Sequence, residues 1–423
     1  MHLTAFDKSQ NDHTKYQSCR SVRKHLAKID HQYLKKINPK ILGAALLFYI
    51  LAVVLAFTLA PFDYSLSAIN RINGFLDIQL KDAIKNIILF IPVGFLLSSI
   101  LTDKKKYLKS FLFGVSFSSF IEFNQLFIFT RDPGLNDVLT NSIGSLIGCI
   151  GYDLIKKNLQ KNSKILVHFS IPVMNIVILL IPMLWLCSFA VGYESVRIWL
   201  LLLLGLMGAI LVSEVFINRI SEKMTANTIY FLIMFVGWYL IGVFPSLVNH
   251  PKRIFAFTIL LTIFIYFRMT FGLKSESDQR FELQTLNKVI PIFSVYILIL
   301  NQWPLKLPSM DFHFFIIPNV NMEQHYSIEI YRYMEYFTGF TLIGYFISEY
   351  VNRSNNQENR ASRVIIWIVA VATALEVLRG FHPSHTATLL HFVLAVFWGL
   401  FGALIYIMQL YYFKMVIENE NHR

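Results

Sequence analysis

Residues Ile121 to Gly148 read IEFNQLFIFTRDPGLNDVLTNSIGSLIG. Glu122, Gln125, Arg131, Asp132, Asp137 and Asn141 stand here among apolar runs, and unpaired polar groups are costly inside a bilayer. The stretch therefore predicts two membrane helices joined by a charged turn. Its polar groups must meet one another, a neighbouring helix or a ligand.

Helical spacing sorts these residues. Ser118, Glu122 and Gln125 recur at i, i+4 and i+7 on one face of the first helix. Asp137, Asn141, Gly144 and Gly148 make a polar and small-residue stripe on the second, and Gly144 with Gly148 forms a GxxxG pair that admits a close neighbour. The preceding span adds Lys85 and Asn86 at its mouth, with Pro92 and Gly94 further in. The expected site is a patch of carboxylates, cations and amides around the turn Arg131 to Gly134.

The rest of the chain fits a membrane setting. Of 423 residues, 55% are apolar and 15% charged, with 38 Phe and a mean hydropathy of +0.52, which excludes an ordinary soluble globule. Runs long enough to span about 30 Å of hydrocarbon recur throughout. They predict an all-α polytopic protein of about twelve transmembrane helices near 41–60, 84–101, 108–128, 136–155, 165–190, 197–217, 226–248, 253–272, 287–303, 331–349, 364–380 and 387–410. The first run follows about 40 polar and basic residues, so it is expected to be a true span with no cleavable signal before it.

With the N-terminus inside, 28 of the 38 Lys and Arg fall on inner segments and 10 on outer ones. That split predicts both termini in the cytoplasm and the Arg131 turn on the outer face. It also gives the net charge of +12 a source other than nucleic-acid binding. Cys19, Cys149 and Cys187 are too scattered for a disulfide framework or a thiolate metal site. Residues 72–80 place Ile72, Phe75, Leu76 and Leu80 on one helical face, expected to lie on the outer interface.

The chain also repeats itself. FIPVGFLL (Phe90 to Leu97) aligns with FTLIGYFI (Phe340 to Ile347), and IEFNQ from Ile121 aligns with LEVLR from Leu375. Glu122 then falls on Glu376, Gln125 on Arg379, Arg131 on His385, Asp137 on His391, Asn141 on Ala395 and Asn86 on Tyr336. Both copies enter from the same side, which implies a parallel internal repeat. In the second copy, Glu376 and Arg379 at i, i+3 are expected to pair. His382, His385 and His391 lack the i, i+4 spacing of a helical metal site, so no metal and no cofactor is expected.

KN-x(3)-FIPVGFLL, IE-x-x-Q, RDP-x-x-ND and N-x-x-G-x-x-x-G, in this order over residues 45 to 155, resemble the VanZ family of bacterial membrane proteins. The resemblance places the family's polar motifs at Asn86, Pro92, Gly94, Glu122, Gln125, Arg131, Asp132, Asp137, Asn141 and Gly144. It implies low-level resistance to teicoplanin-type lipoglycopeptides or a role in envelope metabolism. The chain divides accordingly into a basic cytoplasmic tail (1–40), a VanZ-like four-helix domain (41–155), central spans (156–303), an outer loop (304–330), a degenerate VanZ-like copy (331–413) and a short cytoplasmic tail (414–423).

Three functions remain open on the residues alone. As ligand-binding groups, Lys85, Asn86, Glu122, Gln125, Arg131, Asp132, Asp137 and Asn141 would engage membrane lipids, a lipid-linked cell-wall precursor or a lipoglycopeptide. As an enzyme on a lipid phosphate, the protein would use Glu122 and Asp137 as acid and base and Arg131 as the phosphate clamp. As a transporter it would move a lipid or glycan, although few charges are expected near the midplane. The bland alternative is an ion-pair network in which Arg131 and Lys85 neutralise the carboxylates. Asp132 then pairs locally or caps a helix, the two Asn bridge helices, and Pro92, Gly94, Gly144 and Gly148 only shape the packing.

Overall fold

The computed structural model describes residues 40–60, 62–71, 80–101, 103–161, 171–219, 225–272, 281–316, 326–353 and 359–421. The basic tail, the amphipathic face of Ile72, Phe75 and Leu76, and residues 317–325 of the expected outer loop lie outside them. Among the described residues the chain forms twelve α-helices: α1 (Lys40–Leu59), α2 (Leu80–Ile100), α3 (Lys106–Gln125), α4 (Leu135–Lys161), α5 (Ile171–Tyr193), α6 (Ile198–Arg219), α7 (Thr225–Asn249), α8 (Pro251–Phe271), α9 (Phe281–Asn301), α10 (Tyr326–Arg353), α11 (Arg360–Gly380) and α12 (Leu389–Asn421). Each overlaps an expected span, most to within a few residues; α12 instead continues to Asn421, well past the expected end at 410 and into the segment 414–423 expected as a short tail.

Nine of these helices are long and apolar enough to cross a membrane. The other three are α3, α9 and α10. Polar residues interrupt α3 and α10, Glu122 and Gln125 in one and Arg332, Glu335 and Glu349 in the other, and the apolar part of α9 is only Thr285–Asn301. The protein is an all-α, multi-pass membrane protein.

Helix α5 is apolar all round and lies at the centre, with Leu180, Met183, Leu184, Leu186, Cys187 and Ala190 fully buried. Ser188 ties it to α7, donating to the Val243 carbonyl at 3.1 Å and accepting from Ser246 N–H at 2.7 Å. We call the end of the bundle that carries the Arg131–Gly134 turn the upper end. The α5–α6 connection, the end of α9, the start of α10 and the α11–α12 connection meet there too.

Backbone approaches between helices set the packing around the turn. Methyl groups on Gly94, Gly144 and Gly148 would drive into the carbonyl oxygens of Ser145, Ile87 and Ile91, so α2 and α4 touch along their backbones. Buried Pro92 lies inside α2 near this seam, where its missing N–H removes one rung of the helical ladder. The pair α10 and α12 repeats the contact. Gly344 meets the Gly399 carbonyl and Gly402 the Thr341 carbonyl, which are the positions aligned with Gly94, Ser145, Gly148 and Ile91.

Further contacts match in register. Ser65 N–H donates to the Phe127 carbonyl at 2.7 Å, and Ser309 N–H donates to the Phe381 carbonyl at 2.8 Å. Segment 304–316 continues across the upper end: His313 N–H bonds the Gly380 carbonyl, and Phe314–Phe315 pairs in parallel with Ala387–Thr388 as a two-stranded ladder. The match reaches α9, which ends at Asn301, two residues before Trp303, as α1 ends just before Ala60. Four helices, α9 to α12, thus mirror α1 to α4 in these contacts, and sequence alone had left α9 with the central spans.

This packing makes neighbouring glycines of one helix unequal. Gly148→Ala should lower the thermal midpoint of the purified protein, at an overpacking cost of about 1–3 kcal/mol. Gly151→Ala, with nothing within 4 Å of the added methyl, should be neutral or slightly stabilising. Equal midpoints for the two variants would contradict the backbone contact between α2 and α4.

Candidate functional site

Glu122 lies in the last turn of α3, facing the turn that leads into α4. Gly134 N–H donates to its Oε2 at 2.8 Å, which fixes the start of α4 relative to the end of α3. Asp137 follows in the first turn of α4, half-buried, and within electrostatic range of both Glu122 and Asp82. The Asn86 amide lies beside the Asp137 carboxylate. One turn deeper, buried Asn141 donates from Nδ2 to Ser118 Oγ at 2.8 Å, and its Oδ1 has no partner among the described residues. Glu122, Asp137, Asn86 and Asn141 therefore form one cluster.

The expected cations stand apart from it. Arg131 Nε and Nη2 donate to the Ala60 carbonyl at 2.9 and 2.6 Å, and Nη2 also reaches the Phe57 carbonyl at 3.3 Å. These carbonyls belong to the exit of α1, where no intrahelical donor remains, so Arg131 acts as a C-terminal cap. Gln125 does the same, donating from Nε2 to the Thr58 carbonyl at 2.9 Å. Lys85 pairs at 2.6 Å with Asp82 on the surface, and Asp132 is exposed. The anticipated network of Arg131 and Lys85 with the carboxylates does not form, because the free carbonyls of α1 lie closer to Arg131 than the acids do.

The second unit uses the same scaffold with other chemistry. Thr388 N–H donates to Glu376 Oε1 at 2.6 Å, and Thr388 aligns with Gly134. The Nδ1 of His391, the residue aligned with Asp137, bonds Glu376 Oε2. His385 takes the place of Arg131 and bonds the Trp303 carbonyl, as Arg131 bonds Ala60. Burial and the nearby Arg379 charge hold the His385 imidazole well below its ordinary range, at about 3, so it serves as a neutral cap. The expected Glu376–Arg379 pair is absent: both Glu376 oxygens are taken, and Arg379 lies over the Tyr333 ring at 5.1 Å.

A quartet of charges escaped the sequence reading. Arg197 at the α5–α6 connection and Glu335 on α10 are both fully buried and pair at 2.6 Å, with Tyr296 donating to Glu335. Glu194 pairs with Arg332 and accepts from Trp303 Nε1 at 2.8 Å. The signal was present as two i, i+3 charge pairs in opposite order, Glu194 with Arg197 and Arg332 with Glu335, which pair crosswise. At the opposite end, Glu214 holds Lys288 at 2.6 Å and Arg268, joining α6, α8 and α9. These pairs weld the central helices to the second unit, since a lone buried charge would be strongly destabilising.

Truncating Arg131 to Ala should leave the Phe57 and Ala60 carbonyls without their donor and cost about 1–3 kcal/mol, read as a lower thermal midpoint. Asp132→Ala, an exposed neighbour, should shift it by no more than about 0.5 kcal/mol equivalent. If Arg131→Ala were as stable as Asp132→Ala, the cap would not contribute.

No curated protein and no solved structure matches the chain. A family model does: VanZ/LLP1 matches residues 44–156, from within α1 to within α4. That interval holds the backbone seam of α2 with α4, the Glu122 contact, the Asp137 cluster and the Arg131 cap, so the first four helices of this membrane protein form a VanZ-like region.

Proposed function

We propose that the upper mouth of the VanZ-like unit engages the polar head of a lipid-linked envelope component or a lipoglycopeptide at the outer face of a bacterial membrane. Low-level tolerance to teicoplanin-type antibiotics is the expected consequence. The observation that carries this reading is Asp137: a half-buried carboxylate with the Asn86 amide beside it and no cation within ion-pair distance among the described residues. The Glu122 carboxyl stands within electrostatic range of it, so two acidic groups share the mouth. An amphiphile with an amino or hydroxyl head and an acyl tail complements such a mouth, because the head meets acceptors while the tail stays in lipid. The distribution of Lys and Arg supports the outward orientation.

The enzymatic reading loses its phosphate clamp, since the Arg131 guanidinium is committed to α1. Expression in a susceptible Gram-positive host should raise tolerance to teicoplanin more than to vancomycin. Asp137→Asn should abolish the gain while the protein still accumulates in the membrane. Equal susceptibility with and without the protein would remove the resistance reading.

A further inference from the structure

The upper end of the second unit buries a cation without a matching anion. Arg379, at the end of α11, is 6% exposed, and among the described residues no carboxylate lies within ion-pair distance of it. Its Nε has no hydrogen-bond partner. The Tyr333 ring that it covers also lies 5.3 Å from the His391 ring, which stacks on Tyr336 at 4.3 Å. The Tyr336 hydroxyl and His391 Nε2 are likewise buried and without partners. Glu376, the carboxylate nearest in this arrangement, has one oxygen on Thr388 N–H and the other on His391. A desolvated guanidinium left in this state is strongly unfavourable, and the surroundings offer donors with nothing to accept from them.

We infer that Arg379, with Tyr336, forms a binding site for a phosphate-type oxyanion at the mouth of the second unit. The guanidinium supplies charge and a planar fork of donors suited to phosphate oxygens. Tyr336 supplies a hydroxyl. The inference goes beyond the proposed function and does not depend on it. In the first unit the positions aligned with Arg379 and Tyr336 hold Gln125 and Asn86, beside the Asp137 carboxylate, so the duplicated scaffold presents an acid at one mouth and an unpaired cation at the other. The phosphate can belong to a lipid headgroup or to a free anion.

The test uses the full-length protein in phosphatidylcholine nanodiscs, read by its thermal midpoint at constant ionic strength. Inorganic phosphate replacing chloride should raise the midpoint of wild type. The apparent affinity should fall about tenfold or more in Arg379→Gln, which installs the residue that the first unit carries here, and by a smaller factor in Arg379→Lys and Tyr336→Phe. Discs containing phosphatidic acid should raise the midpoint without added phosphate if the source is a lipid; a response to inorganic phosphate alone identifies a soluble anion. The site is refuted if neither phosphate nor phosphatidic acid shifts wild type. It is equally refuted if Arg379→Gln responds as wild type does or, should that variant fail to fold, if Arg379→Lys and Tyr336→Phe both respond unchanged.

Discussion

A glutamate side chain that accepts a backbone N–H twelve residues further along the chain closes the turn between two helices in each unit of this protein. Glu122 receives Gly134 N–H and Glu376 receives Thr388 N–H, at 2.8 and 2.6 Å. The first N–H groups of a helix have no intrahelical acceptor, and at the edge of hydrocarbon water is a poor substitute. A carboxylate from the preceding helix meets that need and fixes the approach of α3 to α4 and of α11 to α12. The glycine seams of α2 with α4 and of α10 with α12 then follow in register. The capping of α1 by Arg131 and of α9 by His385 completes the unit.

On this shared scaffold the chemistry diverges at three aligned positions. Where the first unit has Gln125, Arg131 and Asp137, the second has Arg379, His385 and His391. The capping function survives the change from Arg131 to His385, because either side chain can donate to a carbonyl. The exchange of Asp137 for His391 does not leave the mouth as it was. It converts a carboxylate beside Glu122 into an imidazole that bonds Glu376, and among the described residues no carboxylate lies within ion-pair distance of Arg379. Structural positions are thus held in common, while the side chains at the two mouths differ in charge.

Much of this architecture was legible in the residues. Apolar runs located the helices, nine of them long and apolar enough to cross a membrane, since a lipid-buried backbone must satisfy its own hydrogen bonds. The pairing of Glu122 with Glu376 already marked that residue as belonging to the architecture. The partner of Arg131 was not legible: a cation among carboxylates in sequence suggests an ion pair, and only the fold brings the exit of α1 within reach. For the same reason the link from Arg197 to Glu335 stayed hidden, because its members lie in different helices separated by a long stretch of chain. The role of α9 was missed because its equivalence to α1 rests on a carbonyl contact at Trp303, which leaves no side-chain pattern.

The claim that one glutamate contact organises both units can be tested directly by hydrogen–deuterium exchange of the protein in nanodiscs. The account predicts that Glu122→Ala accelerates exchange around Gly134, that Glu376→Ala accelerates it around Thr388 by a comparable factor, and that neither variant disturbs the other turn. Acceleration in only one turn, or in neither, would contradict it.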